Sequence, residues 1–198
     1  SQPWFLAVGL FKPHLPFAAP KKYFDLHDPE KIPLPENPNR PTGTSGWHSS
    51  SELRNNYGND GRDPATDPFY VRHLRQAYAA ATTYVDAQAG RILDALQTLG
   101  LDRNTIVVIW GDHGFLLGDH AIWGKHCLYE RALRSPLMIR TPDLAKPGQP
   151  SAALTETVDI FPTLADLCGL PLPPGIDGRS LRAQLGDPAA PAGKPALS

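Results

Sequence analysis

The feature that most constrains this chain is a helical period that runs without a break from Asp67 to Gly100 and passes straight into a β-branched run. Asp67-Pro68 opens it well: an acceptor sits at the N-cap, and a proline at the first helical position forfeits only an N–H that has no helical partner there. Leu74, Tyr78, Ala81, Val85, Ala89, Ile92 and Leu96 follow at spacings of three and four, drawing one apolar stripe that must be covered, and Gly100 stops the helix. Thr105-Ile106-Val107-Val108-Ile109-Trp110 is continuous and largely β-branched, the pattern of a central parallel strand following a helix in a βα unit. On this reading the stripe lies on a sheet, and the fold class is α/β.

Other elements fit the same scheme. Trp4 to Gly9 reads as a strand buried on both faces, Pro136 to Arg140 as a third, and Thr155 to Val158 as a fourth. Asp159 is placed to cap a helix through Phe161, Leu164 and Leu167 to Gly169, with Pro162 tolerated in its first turn. The 22 prolines fall mostly in two regions, which are therefore read as irregular. One is a long excursion over 12–66, with a short helix near Lys21 to Asp25, and the other is a Pro/Gly-rich tail over 171–198 that hugs the surface. Loops as long as the first are often functional. With 198 residues and no internal repeat, the chain is expected to be a single partial domain with one core, its chemistry beyond the carboxyl ends of the strands.

A formal net charge of −1, from 19 basic and 20 acidic residues, gives no general attraction to nucleic acid or to an anionic membrane. An anionic substrate therefore needs a local cluster of charge. No apolar run reaches the length of a bilayer span. Cys127 and Cys168 allow at most one bridge and leave the redox compartment open. Ser1-Gln2-Pro3 lacks an initiating Met and the regions of a signal peptide, so the chain is read as part of a longer polypeptide whose remainder is its first partner.

Trp110-Gly111-Asp112-His113-Gly114 follows the best strand, where an α/β fold presents side chains to a crevice. Asp112 and His113 offer lone pairs to a metal ion; equally, Asp112 can cap the next turn with His113 as a polar neighbour. Gly118 to Lys125 adds Asp119 and His120 as further potential ligands, and Lys125 as a compact point charge for a sulfate or phosphate oxygen. Lys12-Pro13-His14-Leu15-Pro16 lies just past the first strand, and its prolines should fix His14. A fixed imidazole suits a general acid, whose contribution is typically about 10² to 10⁴-fold.

Phe5 to Phe17 around Lys-Pro-His, Tyr78 to Gly114 leading into Asp-His-Gly, Gly118 to Lys125, and Thr155 to Gly169 occur in an order that resembles the sulfatases of the alkaline phosphatase superfamily, in the branch that includes iduronate-2-sulfatase. The resemblance implies an alkaline phosphatase-like sandwich with a mainly parallel sheet between helices, of which this chain is a partial domain. It implies that Asp112 and His113 hold a divalent cation, usually Ca²⁺, and that His14 and Lys125 contact the sulfate. His14 would also protonate the leaving alcohol, and Lys12 would be a further substrate contact. Calcium prefers oxygen, so His113 is a less secure ligand than Asp112 and can instead orient the sulfate or the nucleophile. The implied substrate is a sulfated small molecule or carbohydrate, and the implied location is periplasmic, extracellular or lysosomal.

Two departures bear on activity. The family's Cys-x-Pro-x-Arg segment, whose cysteine becomes the formylglycine nucleophile, and its N-terminal Asp pair do not occur here. Cys127 is followed by Leu128-Tyr129-Glu130, and Cys168 by Gly169-Leu170-Pro171. Both cysteines are therefore expected to serve packing, the nucleophile is expected outside this chain, and the fragment alone is expected to be inactive. Two other readings stand beside this one. A phosphoesterase or phosphonate hydrolase of the same superfamily would use Asp119 and His120 as extra metal ligands. A non-catalytic assembly module would associate through apolar edges.

Overall fold

The computed structural model describes residues 2–57, 61–144, 146–191 and 195–197. Residues 58–60 of the expected excursion and 192–194 and 198 of the expected tail lie outside the described residues. In chain order the elements are α1 (Lys21–Phe24), α2 (Glu52–Asn56), α3 (Pro68–Thr98), β1 (Val107–Trp110), β2 (Leu116–Leu117), β3 (Trp123–Gly124), α4 (Glu130–Leu133), β4 (Leu137–Arg140), α5 (Ile160–Leu167) and α6 (Arg182–Gly186). They fall into two compact units, one of Ser1–Leu99 with His113–Arg134 and one of Gly100–Asp112 with Ser135–Ser198.

The first unit is built on α3. The Asp67 carboxylate accepts the Tyr70 N–H at 2.9 Å, and Gly100 takes a φ of 67° just beyond the C-cap. The start and stop signals of the sequence are thus used as expected. Within the first unit the apolar stripe is met by the irregular 12–66 excursion and by a short antiparallel hairpin rather than by a parallel sheet. Tyr70, Val71 and Leu74 are covered by Leu15, Leu53 and Trp123, with Phe17, Phe115 and Leu117 alongside. The cover comes mainly from the excursion and from β3, and the helix's polar face holds that excursion in place. Gln76 donates to the His27 carbonyl at 2.7 Å, Arg72 donates to the Ile32 carbonyl, and His27 meets the Thr83 hydroxyl at 2.8 Å. Carbonyls of a loop packed against a helix need donors, and α3 supplies them. Towards its C-terminus the stripe emerges, with Ile92 and Leu93 exposed.

β2 and β3 form a short antiparallel hairpin, pairing Leu116 with Gly124 and Leu117 with Trp123. The connecting turn needs positive φ at Gly118, His120 and Ala121. Leu116, Ile122 and Ala132 form a second small core against which Cys127 packs. Cys168, by contrast, is exposed, which corrects the expectation that both cysteines serve packing.

In the second unit β1 pairs with β4 antiparallel, from Val107 opposite Arg140 to Trp110 opposite Leu137. The α/β class stands, but the sheet is small: all pairings among the described residues are antiparallel, where the sequence suggests a mainly parallel sheet. Among the described residues strand β1 has one neighbour rather than two, and Ile109 and Trp110 are exposed. Residues 4–9 form no strand and leave Trp4, Phe5, Leu6 and Val8 exposed, because a strand needs a pairing partner and the segment has none among the described residues. Residues 155–158 are not a strand either. Glu156 and Asp159 form a reciprocal capping box around a 3₁₀ turn, so the Asp159 carboxylate reaches back to the Glu156 N–H instead of capping α5. Helix α5 ends at Gly169 with a φ of 67°, as its sequence suggests. The tail does more than follow the surface: Leu181 is buried, and its N–H donates to the Thr163 hydroxyl at 2.9 Å.

Candidate active site

The turn after the N-terminal segment is held from inside. Leu15 is buried in the first core, the His14 N–H donates to the Phe11 carbonyl at 3.2 Å, and the Lys12–Pro13 and Leu15–Pro16 bonds are both cis. Lys12 directs its ammonium at its own turn, donating to the carbonyls of His14 and Pro16, and partial burial lowers its pKa. It braces the turn that presents His14.

The His14 Nδ1 lies 2.8 Å from the Leu15 carbonyl. A carbonyl only accepts, so Nδ1 carries a hydrogen, and in the neutral ring Nε2 is left with a lone pair. That lone pair faces the Lys125 Nζ at 3.1 Å, across 111 residues of sequence. Phe11 and Tyr57 flank the imidazole, with ring centroids at 5.0 and 6.2 Å.

Lys125 follows β3 directly. Its side chain is 17% exposed, and its ammonium donates to Glu52 Oε1 at 3.1 Å. The same oxygen lies 3.6 Å from His14 Nε2, so the carboxylate borders both basic groups. Glu52 arrives there because of a glycine. A Cβ on Gly124 would sit 2.1 Å from Ser50 Oγ and 2.4 Å from Ser50 Cβ, so a bare backbone lets the 49–52 segment cross β3 and deliver the first residue of α2 beside Lys125. Glu52 and Lys125 line a cavity of about 560 Å³ together with Ser49, Ser51, Asn56 and His126.

The sequence singles out His14 and Lys125, and the structure joins them. It does not single out Glu52, which lies inside an aperiodic excursion and has no motif around it. The division between the two units falls in the chain between Asp112 and His113, both exposed, with His113 Nδ1 2.7 Å from the Gly114 carbonyl. Among the described residues no group of three or more His, Cys, Asp or Glu side chains is placed to hold a metal ion. Calcium takes about six to eight oxygens, so Asp112 and His113 by themselves do not fit as a complete site. Asp119 and His120 do not extend it. Asp119 is buried with Arg131 Nε 3.7 Å from its carboxylate, and the His120 ring stacks on Tyr129 at 4.2 Å.

The match to known proteins is to the family described as Sulfatase, over residues 1–170. The chain belongs to the sulfatase family. It is 34% identical to the iduronate 2-sulfatase of Mus musculus over 88% of its own length and 37% of that relative's. Among solved structures, this sulfatase chain is similar to a phosphonate monoester hydrolase from Silicibacter pomeroyi, with a TM-score of 0.76 and 34% identity over 90% of the chain and 36% of that protein. It is also similar to a protein solved with its substrate D-glucosamine-2-N,6-O-disulfate, with a TM-score of 0.59 and 36% identity over 64% of the chain and 26% of that protein. The sulfatase chain thus spans between about a quarter and little more than a third of the length of these proteins, and its fold is a partial α/β domain of the alkaline phosphatase superfamily.

Proposed function

We propose that the intact protein hydrolyses sulfate esters, of a sulfated sugar or polysaccharide, and that this chain supplies the sulfate-contacting part of the site. The observation that carries the reading is the approach of Lys125 Nζ to His14 Nε2 at 3.1 Å within a sulfatase-family chain. Lys125 is a point charge placed to offset negative charge on the sulfate oxygens. His14, with Nδ1 fixed by the Leu15 carbonyl, has Nε2 as its working atom: protonated there, it hands that proton to the oxygen of the departing alcohol and returns to the neutral tautomer described above. Lys12 supports this by holding the turn, and is at most an outer contact to substrate.

Asp112, with His113, is proposed to contribute to a divalent-cation site completed by residues outside this chain. A bound cation, calcium or another, would polarise the sulfate. The formylglycine nucleophile is likewise proposed to lie outside the chain, and the two compact units are proposed to be parts of one catalytic domain. Family resemblance favours a periplasmic, extracellular or lysosomal setting. No helix among the described residues is long and apolar enough to cross a membrane.

The test is to assay the full-length protein, supplied with calcium, on 4-nitrophenyl sulfate, 4-nitrophenyl phosphate and a phosphonate monoester. Preference for the sulfate supports the reading. A preference for either phosphorus ester would support the phosphonate hydrolase reading that the Silicibacter pomeroyi likeness favours, and activity on none would overturn both.

A further inference from the structure

We infer that Glu52 is a substrate-binding residue: its second carboxylate oxygen accepts a hydrogen bond from a donor carried next to the sulfate ester, so the site selects esters flanked by a hydroxyl or amine group. The inference rests on the sulfate-ester reading above and adds to it the chemistry of the substrate beside the reacting group.

The Glu52 side chain is 10% exposed, and Oε1 is engaged by Lys125. Oε2 is buried and has no hydrogen-bond partner among the described residues. A carboxylate oxygen held out of water without a donor is destabilising, and a fold needing only an ion pair for Lys125 would be served equally well by an exposed carboxylate. The orphaned oxygen belongs to a residue that lines the cavity of about 560 Å³ next to Lys125. Its two oxygens share one carbon, so a donor that reaches Oε2 lies within a few ångströms of an anion held by Lys125 and His14. On a sulfated polyol that donor is a neighbouring hydroxyl; on an amino sugar it is an amine. Lys125 keeps the carboxylate and the incoming sulfate from repelling one another outright, because its ammonium lies beside both.

The alternative is that Glu52 only positions Lys125, and the two roles separate in a cycle of enzyme and substrate. The full-length protein and its Glu52→Ala variant are assayed on 4-nitrocatechol sulfate, which has a hydroxyl next to the ester, and on 4-nitrophenyl sulfate, which has none. The difference in leaving group cancels in the ratio of ratios. Loss of a charge-assisted hydrogen bond predicts that the substitution lowers kcat/KM on the catechol ester about ten- to a hundredfold more than on the phenyl ester. Glu52→Gln keeps the shape and an acceptor for Lys125, and by removing the charge should reduce the catechol preference in the same direction, so the test survives if the Ala variant fails to fold. Equal falls on the two esters would overturn the inference while leaving the sulfatase reading intact. No turnover of either ester by the unaltered protein would overturn both.

Discussion

Two acids with little exposure to solvent, Asp159 and Glu52, one from each unit, are treated in opposite ways. Asp159 in the second unit is fully buried and both its oxygens are taken by backbone: Oδ1 accepts the Arg179 N–H and Oδ2 the Glu156 N–H, each at 2.9 Å. Glu52 in the first unit gives one oxygen to a side-chain ammonium and leaves the other without a donor among the described residues. Backbone donors cannot leave without unfolding, so Asp159 is fixed and serves only to strap the tail to α5. A side-chain partner and an open oxygen can be rearranged by a ligand, so Glu52 is poised. The difference, together with the cavity that Glu52 lines beside Lys125, is the ground for assigning Asp159 to the fold and Glu52 to the chemistry.

The sharpest way to break this contrast is Lys125→Ala in the intact protein. Removing a cation that stabilises charge on the sulfate should lower kcat/KM about 10² to 10³-fold. Lys125 is mostly buried beside Glu52, so a modest loss of stability is expected too, and turnover has to be compared well below the unfolding midpoint. Unchanged turnover on the sulfate ester would remove the cluster from the active site. The counterpart is Asp159→Ala, which removes the acceptor of two partly buried N–H groups and should cost about 2–3 kcal/mol of stability, read as a lower urea midpoint. At permissive temperature its kcat/KM should match that of the unaltered protein. A catalytic defect there would erase the distinction between the two acids.

A smaller effect tests how Glu52 is delivered. Gly124→Ala places a methyl group on Ser50 and should push the start of α2 away from Lys125, lowering kcat/KM about tenfold through misplacement of the site. Ser50→Gly in the same molecule removes both atoms that the methyl group meets most closely and should restore most of the loss. If the double variant is no better than the single one, the crossing over β3 is not what sets Glu52 in place.

What was legible in the sequence follows the range of the interactions. Helix α3 could be read to within a residue or two because its signals are local: Asp67 reaches three residues ahead, and Gly100 adopts the positive φ that ends it. Trp4 to Gly9 could not be read correctly, since an apolar run records only that burial is needed and the partner of a strand is a distant fact. The stripe of α3 misled in the same way, announcing a cover without saying that loop and hairpin provide it. Thr155 to Val158 shows local competition: β-branched residues suggest a strand, but the exchange between Glu156 and Asp159 stabilises a turn instead. In the site, His14 and Lys125 stand out by residue type and resemblance. Glu52 does not, because its place depends on the absence of a side chain at Gly124, 72 positions away in the numbering.

A third acid completes the comparison and gives the smallest expected effect. Asp166, on α5, accepts the Ser180 hydroxyl at 2.5 Å and Arg182 at 3.2 Å; the Ser180 bond is the main cause of a pKa below the ordinary 3.8, and Arg182 adds to it. Its partners, unlike those of Asp159, are side chains at the surface, so its contribution is screened and titratable rather than locked. A carboxyl whose folded pKa is depressed stabilises the fold above its unfolded value, and that stabilisation is lost as pH falls through the lower, folded value. Ser180→Ala removes the main cause of the depression. The urea midpoint of the variant should therefore fall below that of the unaltered protein at about pH 6, and the gap should narrow as pH falls through the depressed folded value, where Asp166 takes up its proton in the unaltered protein too. Some gap should persist at every pH, because the Ser180 hydroxyl also accepts the Arg182 N–H at 3.2 Å, a bond that does not titrate. A gap independent of pH would mean that Asp166 is held by packing alone, and that the tail is fastened in the manner of Asp159 throughout.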